Sequence, residues 1–129
     1  MPRDERKVRE RLEEWELRIQ RVLALYDNEG SVPVDARPEV RAAYSALKVS
    51  LKAAVTAGDC WEGRAQMSSA ERRFYYPAIQ AASAHLVAGE DARPEAWHRS
   101  LCNALSAISD AVVFLEERER KAPPREYSA

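Results

Sequence analysis

The sequence has no long hydrophobic run and contains few glycines, cysteines or histidines. Of its 129 residues, four are glycine, two are cysteine and two are histidine. Because no run of about 18 or more apolar residues is present, we expect no segment that crosses a membrane. The charged N-terminal residues have no apolar run behind them, so we expect no signal peptide. Cys60 and Cys102 lack the spacing of a zinc site, so reduced thiols in a cytoplasmic protein are predicted.

An excess of charge of either sign is also missing. The 20 Lys and Arg residues nearly balance the 21 Asp and Glu residues, which leaves a net charge of -1. This balance argues against nucleic acid and against an anionic membrane as partners. The sequence also lacks a glycine-rich phosphate loop, a nucleophile elbow and a His-Glu-x-x-His motif. We therefore predict no cofactor, and the motifs give no indication of an enzyme.

The chain does contain apolar residues that recur at alternating intervals of four and three, which is typical of packed helices. This spacing is found in four segments, over residues 4–27, 35–58, 68–88 and 91–121. It predicts an all-α fold, an antiparallel up-down-up-down four-helix bundle, as one domain over residues 4–121. Residues 122–129 are predicted to be a disordered tail. The most apolar seam, expected at the centre, is Trp97, Leu101, Ala104, Ile108, Ala111 and Leu115.

Two local signals concern the third segment. Ser68 and Glu71 have the spacing of a capping box, which predicts that the third helix begins there. Pro77 lies about two turns further on and has no N–H to donate, so we predict a kink in this helix at Pro77. Residues 59–67, before the capping box, are predicted to be a connecting loop.

A metal site is one alternative function. In the predicted topology His85 and His98 lie at the same end of the bundle. Glu95 and His98 have the i, i+3 spacing that places two ligands on one helix face, as in di-iron bundles. His85 would supply a third ligand. Because only one Glu-x-x-His pair is present, the primary prediction is that the chain holds no metal.

A nuclease is the other alternative. The six residues 93–98 place His98 after Arg93 with four residues between them. This resembles the motif of HEPN-type RNases, which are helical bundles of similar length that act at a dimer interface. The resemblance implies that His98 is a general acid or base and that Arg93 holds the phosphate. Pro94 departs from the polar residue that usually follows the arginine in that family.

Protein–protein association without catalysis is the primary functional prediction. Heptad spacing suits pairing between helices of different chains as well as within one chain. A homodimer is therefore a possible form, through Phe114, Val113 or Leu17 if these side chains are exposed in the folded protein.

Overall fold

A computed structural model describes residues 3–90 and 93–121, without the side chains of Trp61 and Glu62. Its α-helices are α1 (Arg3–Leu23), α2 (Arg37–Asp59), α3 (Trp61–Gln66), α4 (Tyr76–Ala88) and α5 (Pro94–Lys121). A 3-10 turn precedes α2 and a π turn precedes α4. No strand occurs in these residues, which confirms the all-α prediction. The predicted tail, residues 122–129, lies outside the described residues.

The core contains the residues that recur at the four-and-three spacing: Val8, Leu12, Trp15, Ile19, Val22 and Tyr26; Val40, Tyr44, Leu47 and Leu51; Tyr75, Ile79, Ala82 and Leu86; and the seam from Trp97 to Leu115. Their large side chains are all buried, and the fully enclosed ones include Leu12, Ile19, Leu51, Ile79, Leu86, Leu101, Ile108 and Leu115. In α5 the buried position between Ile108 and Leu115 belongs to Val112, whereas the predicted Ala111 is half-buried. The helix rotates slightly relative to a strict heptad because 3.6 residues per turn do not divide seven evenly. No helix of the described ranges is long and apolar enough to cross a membrane.

Polar contacts show the relative directions of the helices. The Tyr26 hydroxyl, just after α1, donates to the carbonyl of Pro94 at the start of α5, with an O···O distance of 2.6 Å. Glu5, in the first turn of α1, pairs with Arg118 near the end of α5. These contacts join the end of each helix to the start of the other, so α1 and α5 run in opposite directions. The main packing partners are α1 with α5, α4 with α5, and α2 with α4.

The predicted loop over residues 59–67 is wrong, because it contains the short helix α3. The Cys60 sulfur caps this helix by accepting from the amide of Gly63, with an N···S distance of 3.2 Å. A Cβ at Gly63 would lie only 1.8 Å from the carbonyl oxygen of Ala57, so glycine permits the close approach of α3 to α2. Cysteine is an unusual cap and glycine weakens helices, which is why the sequence pattern did not indicate α3.

The capping box before α4 is confirmed. The Ser68 amide donates to the Glu71 carboxylate, and the Glu71 amide donates to the Ser68 hydroxyl, both at 3.1 Å. The residues Glu71–Tyr75 then form a π turn, in which the amide of Tyr76 donates to the carbonyl of Glu71. This wider turn lies directly before Pro77, where the α-helical ladder loses one donor. A kink at Pro77 itself stays a prediction.

The central position of α5 predicts a large effect of truncating Ile108, which is completely buried. We expect Ile108→Ala to lower the free energy of unfolding by about 2–5 kcal/mol, because it removes buried methyl groups and leaves a cavity. Urea denaturation followed by circular dichroism measures this change. Val113→Ala, at a position 56% exposed on the same helix, is the control and should change stability by less than about 0.5 kcal/mol. Equal effects of the two changes would contradict the central placement of α5.

Candidate functional site

His98 lies half-buried near the start of α5, where it contacts Tyr26, three residues after the end of α1. Its ring meets the ring of Tyr26 edge to face, with centroids 5.1 Å apart and an interplanar angle of 64°. One turn further along α5, the Cys102 sulfur lies 3.8 Å from His98 Nδ1. An aromatic ring and a thiol are thus two neighbours of the imidazole.

The turn after α1 packs against the same imidazole. Asp27 Oδ1 accepts from the amides of Glu29 and Ser31 at 2.9 and 2.8 Å, which closes the turn. Gly30 in this turn has a φ of 78°, in the left-handed region that favours glycine. A Cβ at Gly30 would lie 3.2 Å from His98 Nδ1, so the turn has no spare room above the ring.

The other predicted site residues at this end have different surroundings. His85 is exposed on α4, and Arg93 is exposed directly before α5. The Glu95 carboxylate accepts from Arg37 at 2.9 Å, across the gap between α5 and α2. Within residues 3–90 and 93–121, no three His, Cys, Asp or Glu side chains form a group that could hold a metal ion. The metal and RNase roles of these residues stay predictions.

The opposite end of α5 carries an exposed aromatic cluster, which we call the Phe74–Phe114 patch and which consists of Phe74, Phe114, Arg73 and Arg118. Phe114 is 50% exposed, and its ring centroid lies 5.7 Å from that of half-buried Phe74. The Arg118 guanidinium carbon lies 5.3 Å from the Phe74 centroid and 6.0 Å from the Phe114 centroid. Arg73 approaches the Phe74 ring to 5.0 Å. The patch therefore combines two rings with two guanidinium groups at cation–π distance.

Glu5 holds Arg118 in this patch. Its two carboxylate oxygens accept from Arg118 Nε and Nη2 at 2.7 and 3.0 Å, in a bidentate pair. Glu5 is only 7% exposed although it lies in the first turn of α1. The hydrogen bonds from Arg118 lower the pKa of Glu5 and outweigh the opposing effect of burial. The ion pair thus fixes the guanidinium beside the two rings.

Leu17 on α1 and Val113 on α5 are the other two side chains that the sequence suggests for self-association. They are 48% and 56% exposed, and Glu16 beside Leu17 accepts from the Ser109 hydroxyl at 2.6 Å. All three side chains that the sequence suggested for self-association are therefore exposed. Phe74 is not one of these three side chains, because the spacing within its own segment gives no indication of its contact with Phe114.

Packing of the turn on His98 predicts coupling between Gly30 and His98. We expect Gly30→Ala to lower the free energy of unfolding by about 1–2 kcal/mol, because alanine is strained at this positive φ. Its Cβ also presses on the imidazole, and this part of the penalty should vanish when His98→Ala is present. Urea denaturation of the two single variants and the double variant measures the coupling. An identical penalty in both backgrounds would contradict the contact.

The lowered pKa of Glu5 predicts a pH-dependent stability. A carboxylate with a lower pKa in the folded state contributes stability above its unfolded-state pKa, and this contribution is lost as pH falls through the folded-state pKa. Near neutral pH we therefore expect Glu5→Gln to unfold more readily than wild type. The difference should shrink as pH falls below the ordinary glutamate pKa of 4.5. Urea denaturation over a pH series measures it, with exposed Glu10→Gln as the control. A difference that does not vary with pH would contradict the assignment.

Comparison with known proteins identifies no relative of this chain. No family model, curated protein or solved structure matches the chain. The six-residue resemblance around Arg93 and His98 therefore has no support from a family match.

Proposed function

We propose that this chain acts by protein–protein association, and that its partner is a second copy of itself bound through the Phe74–Phe114 patch. The observation that carries the proposal is the half-exposed ring of Phe114, which packs on Phe74 and is flanked by Arg73 and Arg118. Aromatic and arginine side chains are enriched where protein interfaces derive most of their binding energy.

Exposure of the Phe114 ring favours association because half of a large apolar side chain remains in water. Covering it with a partner removes further apolar area from water, at about 25 cal/mol per Å². The pair with Glu5 already restricts Arg118, and the contact with Phe114 restricts Phe74. Fewer side-chain rotamers are therefore lost on binding than on a surface of free side chains.

The chemistry of the patch favours a second copy as the partner. A twofold interface uses the same surface on both chains, so that surface has to contain groups that complement each other. The patch offers aromatic faces and guanidinium cations together, and exposed Arg73 extends from the same turn as Phe74. Two copies facing each other can exchange Arg73 and Phe114 as cation–π partners.

The scaffold of this surface is proposed to be a single up-down-up-down bundle of α1, α2, α4 and α5. The antiparallel α1–α5 pair supports this assignment, as does the Tyr44 hydroxyl of α2, which donates to the Leu86 carbonyl of α4 at 2.7 Å. In this arrangement α3 lies in the connection between α2 and α4, and the π turn leads directly into α4. The patch then lies on the π turn before α4 and on the C-terminal part of α5, where the pair with Glu5 preorganises Arg118.

A reducing compartment, the cytoplasm, is the proposed location. Cys60 is a free, exposed thiol and Cys102 is a free, half-buried thiol. Thiols of this kind persist where glutathione and thioredoxin keep cysteine reduced.

The self-association proposal predicts that Phe114→Glu yields a monomer, because it places a desolvated carboxylate at the centre of the interface. Sedimentation equilibrium over a range of concentrations measures the oligomeric state, and circular dichroism checks that the helix content is unchanged. Wild type should dimerise, as should Val49→Glu, a matched change at a residue 62% exposed on α2.

Two outcomes would overturn the proposal. One is a wild-type chain that stays monomeric at every concentration reached. The other is a dimer that survives Phe114→Glu but dissociates with Leu17→Glu or Val113→Glu, which would place the interface at Leu17 or Val113 instead of at the Phe74–Phe114 patch.

A further inference from the structure

A cleft lies where α2 ends and α4 begins, with α3 beside it. We call it the α3 cleft; its lining residues are Gly58, Arg64, Met67, Arg72 and Tyr76, and its volume is about 320 Å³. A neighbouring cavity of about 250 Å³ shares the Gly58, Met67 and Tyr76 walls. The volume lies at the lower end of the range of small-molecule sites, about 300–1,000 Å³.

Two of the chain's four glycines shape this cleft. A Cβ at Gly58 would lie 2.8 Å from Tyr76 Cδ2 and 3.1 Å from Met67 Cε, so glycine lets the ring and the thioether lie directly on α2. Gly63 in turn lets α3 approach the Ala57 carbonyl. The apolar wall of the cleft therefore depends on glycine, which has no side chain, at both positions.

The π turn places a fixed cation in the same cleft. Arg72 belongs to this turn, and its Nη2 donates to the backbone carbonyl of Arg64 at 2.7 Å, which restrains the guanidinium. Such turns are rare and are frequently found at functional sites, because the extra residue redirects the side chains around it. The turn is thus a second irregular element, after α3, that contributes to the cleft.

The second cation, Arg64, is held only loosely. Its Nη2 lies 3.8 Å from the Asp59 carboxylate, at the outer limit of an ion pair. Asp59 also accepts a hydrogen bond from the Tyr76 hydroxyl, so the same carboxylate oxygen is shared between Tyr76 and Arg64. An incoming anion can therefore compete for Arg64 at little cost, because exposed ion pairs contribute little.

We propose that the α3 cleft binds a small organic anion, in which a phosphate or carboxylate is attached to a planar apolar group. Arg64 and Arg72 supply donors that match phosphate or carboxylate oxygens, and the Tyr76 ring with Met67 supplies a surface for the apolar part. The proposal does not rest on self-association, since the Phe74–Phe114 patch and the α3 cleft share no residue.

A titration of the wild-type chain, followed by the NMR signals of its glycine amides, tests this proposal in solution. Phenyl phosphate and benzoate are titrated in turn, with phenol as the neutral probe, while ¹⁵N–¹H correlation spectra are recorded. A bound anion should shift the Gly58 and Gly63 signals in a saturable manner and leave those of Gly30 and Gly89 in place. The anion that binds with the higher affinity identifies whether phosphate or carboxylate is preferred. Binding of either anion supports the proposal.

Two variants test the role of the cations. Arg64→Gln and Arg72→Gln should each weaken anion binding by about fivefold or more, because each removes a charge-assisted hydrogen bond. Arg99→Gln, at an exposed position on α5, should leave it unchanged. The proposal is overturned if no signal saturates, if phenol binds as tightly as the anions, or if Arg64→Gln and Arg72→Gln both bind like wild type. The wild-type titration decides the matter if a variant fails to fold.

Discussion

The antiparallel contact of α1 with α5 is the constraint on which the rest of the structure depends. Apolar burial drives it, but burial alone does not specify register, because leucines and isoleucines repeat along both helices. Buried polar groups supply that specification. A slip by one turn would separate the Tyr26 hydroxyl from the Pro94 carbonyl and leave the carboxylate of Glu5 buried without Arg118. Unpaired buried groups of this kind cost far more than the hydrogen bonds contribute when made.

The same register determines what each end of α5 presents. His98 and Phe114 are sixteen residues apart on one helix, which separates their Cα atoms by about 24 Å. At one end His98 contacts Tyr26 and lies beneath the turn that contains Gly30. At the other end the pair with Glu5 holds Arg118 beside Phe114. A closely covered histidine and an exposed phenylalanine are therefore two consequences of one helix pairing.

The sequence is informative wherever the chain is regular. The buried seams follow from spacing alone, because a helix that repeats apolar residues at intervals of four and three buries them on one side. The capping box of Ser68 and Glu71 is equally local, since its hydrogen bonds span three residues. Tertiary contacts between segments do not follow from this spacing. The pairing of Phe74 with Phe114 depends on how far two helices rotate against each other, and no spacing within either segment encodes that rotation.

The surroundings of the candidate site residues do not follow from spacing for the same reason. The chemistry of Arg93, Glu95, His85 and His98, together with their common end of the predicted bundle, makes them candidate site residues. Their actual neighbours are set by the folded chain, where Glu95 faces Arg37 and His98 faces Tyr26 and Cys102. Sequence spacing places two residues on one helix face, but it does not reveal which groups of the other helices are opposite.

Glycine is scarce in this sequence, and the positions of the few glycines are the best sequence indication of where the helical pattern is interrupted. In a chain of strong helix formers, a glycine inside a helical segment weakens the helix and is retained at a cost. Gly58 and Gly63 both occur where another part of the chain contacts the backbone so closely that a side chain would collide. The α3 cleft therefore lies where the helical pattern is interrupted, whereas the regular seams provide the scaffold around it. Local departures from an otherwise consistent pattern are the places where function is expected.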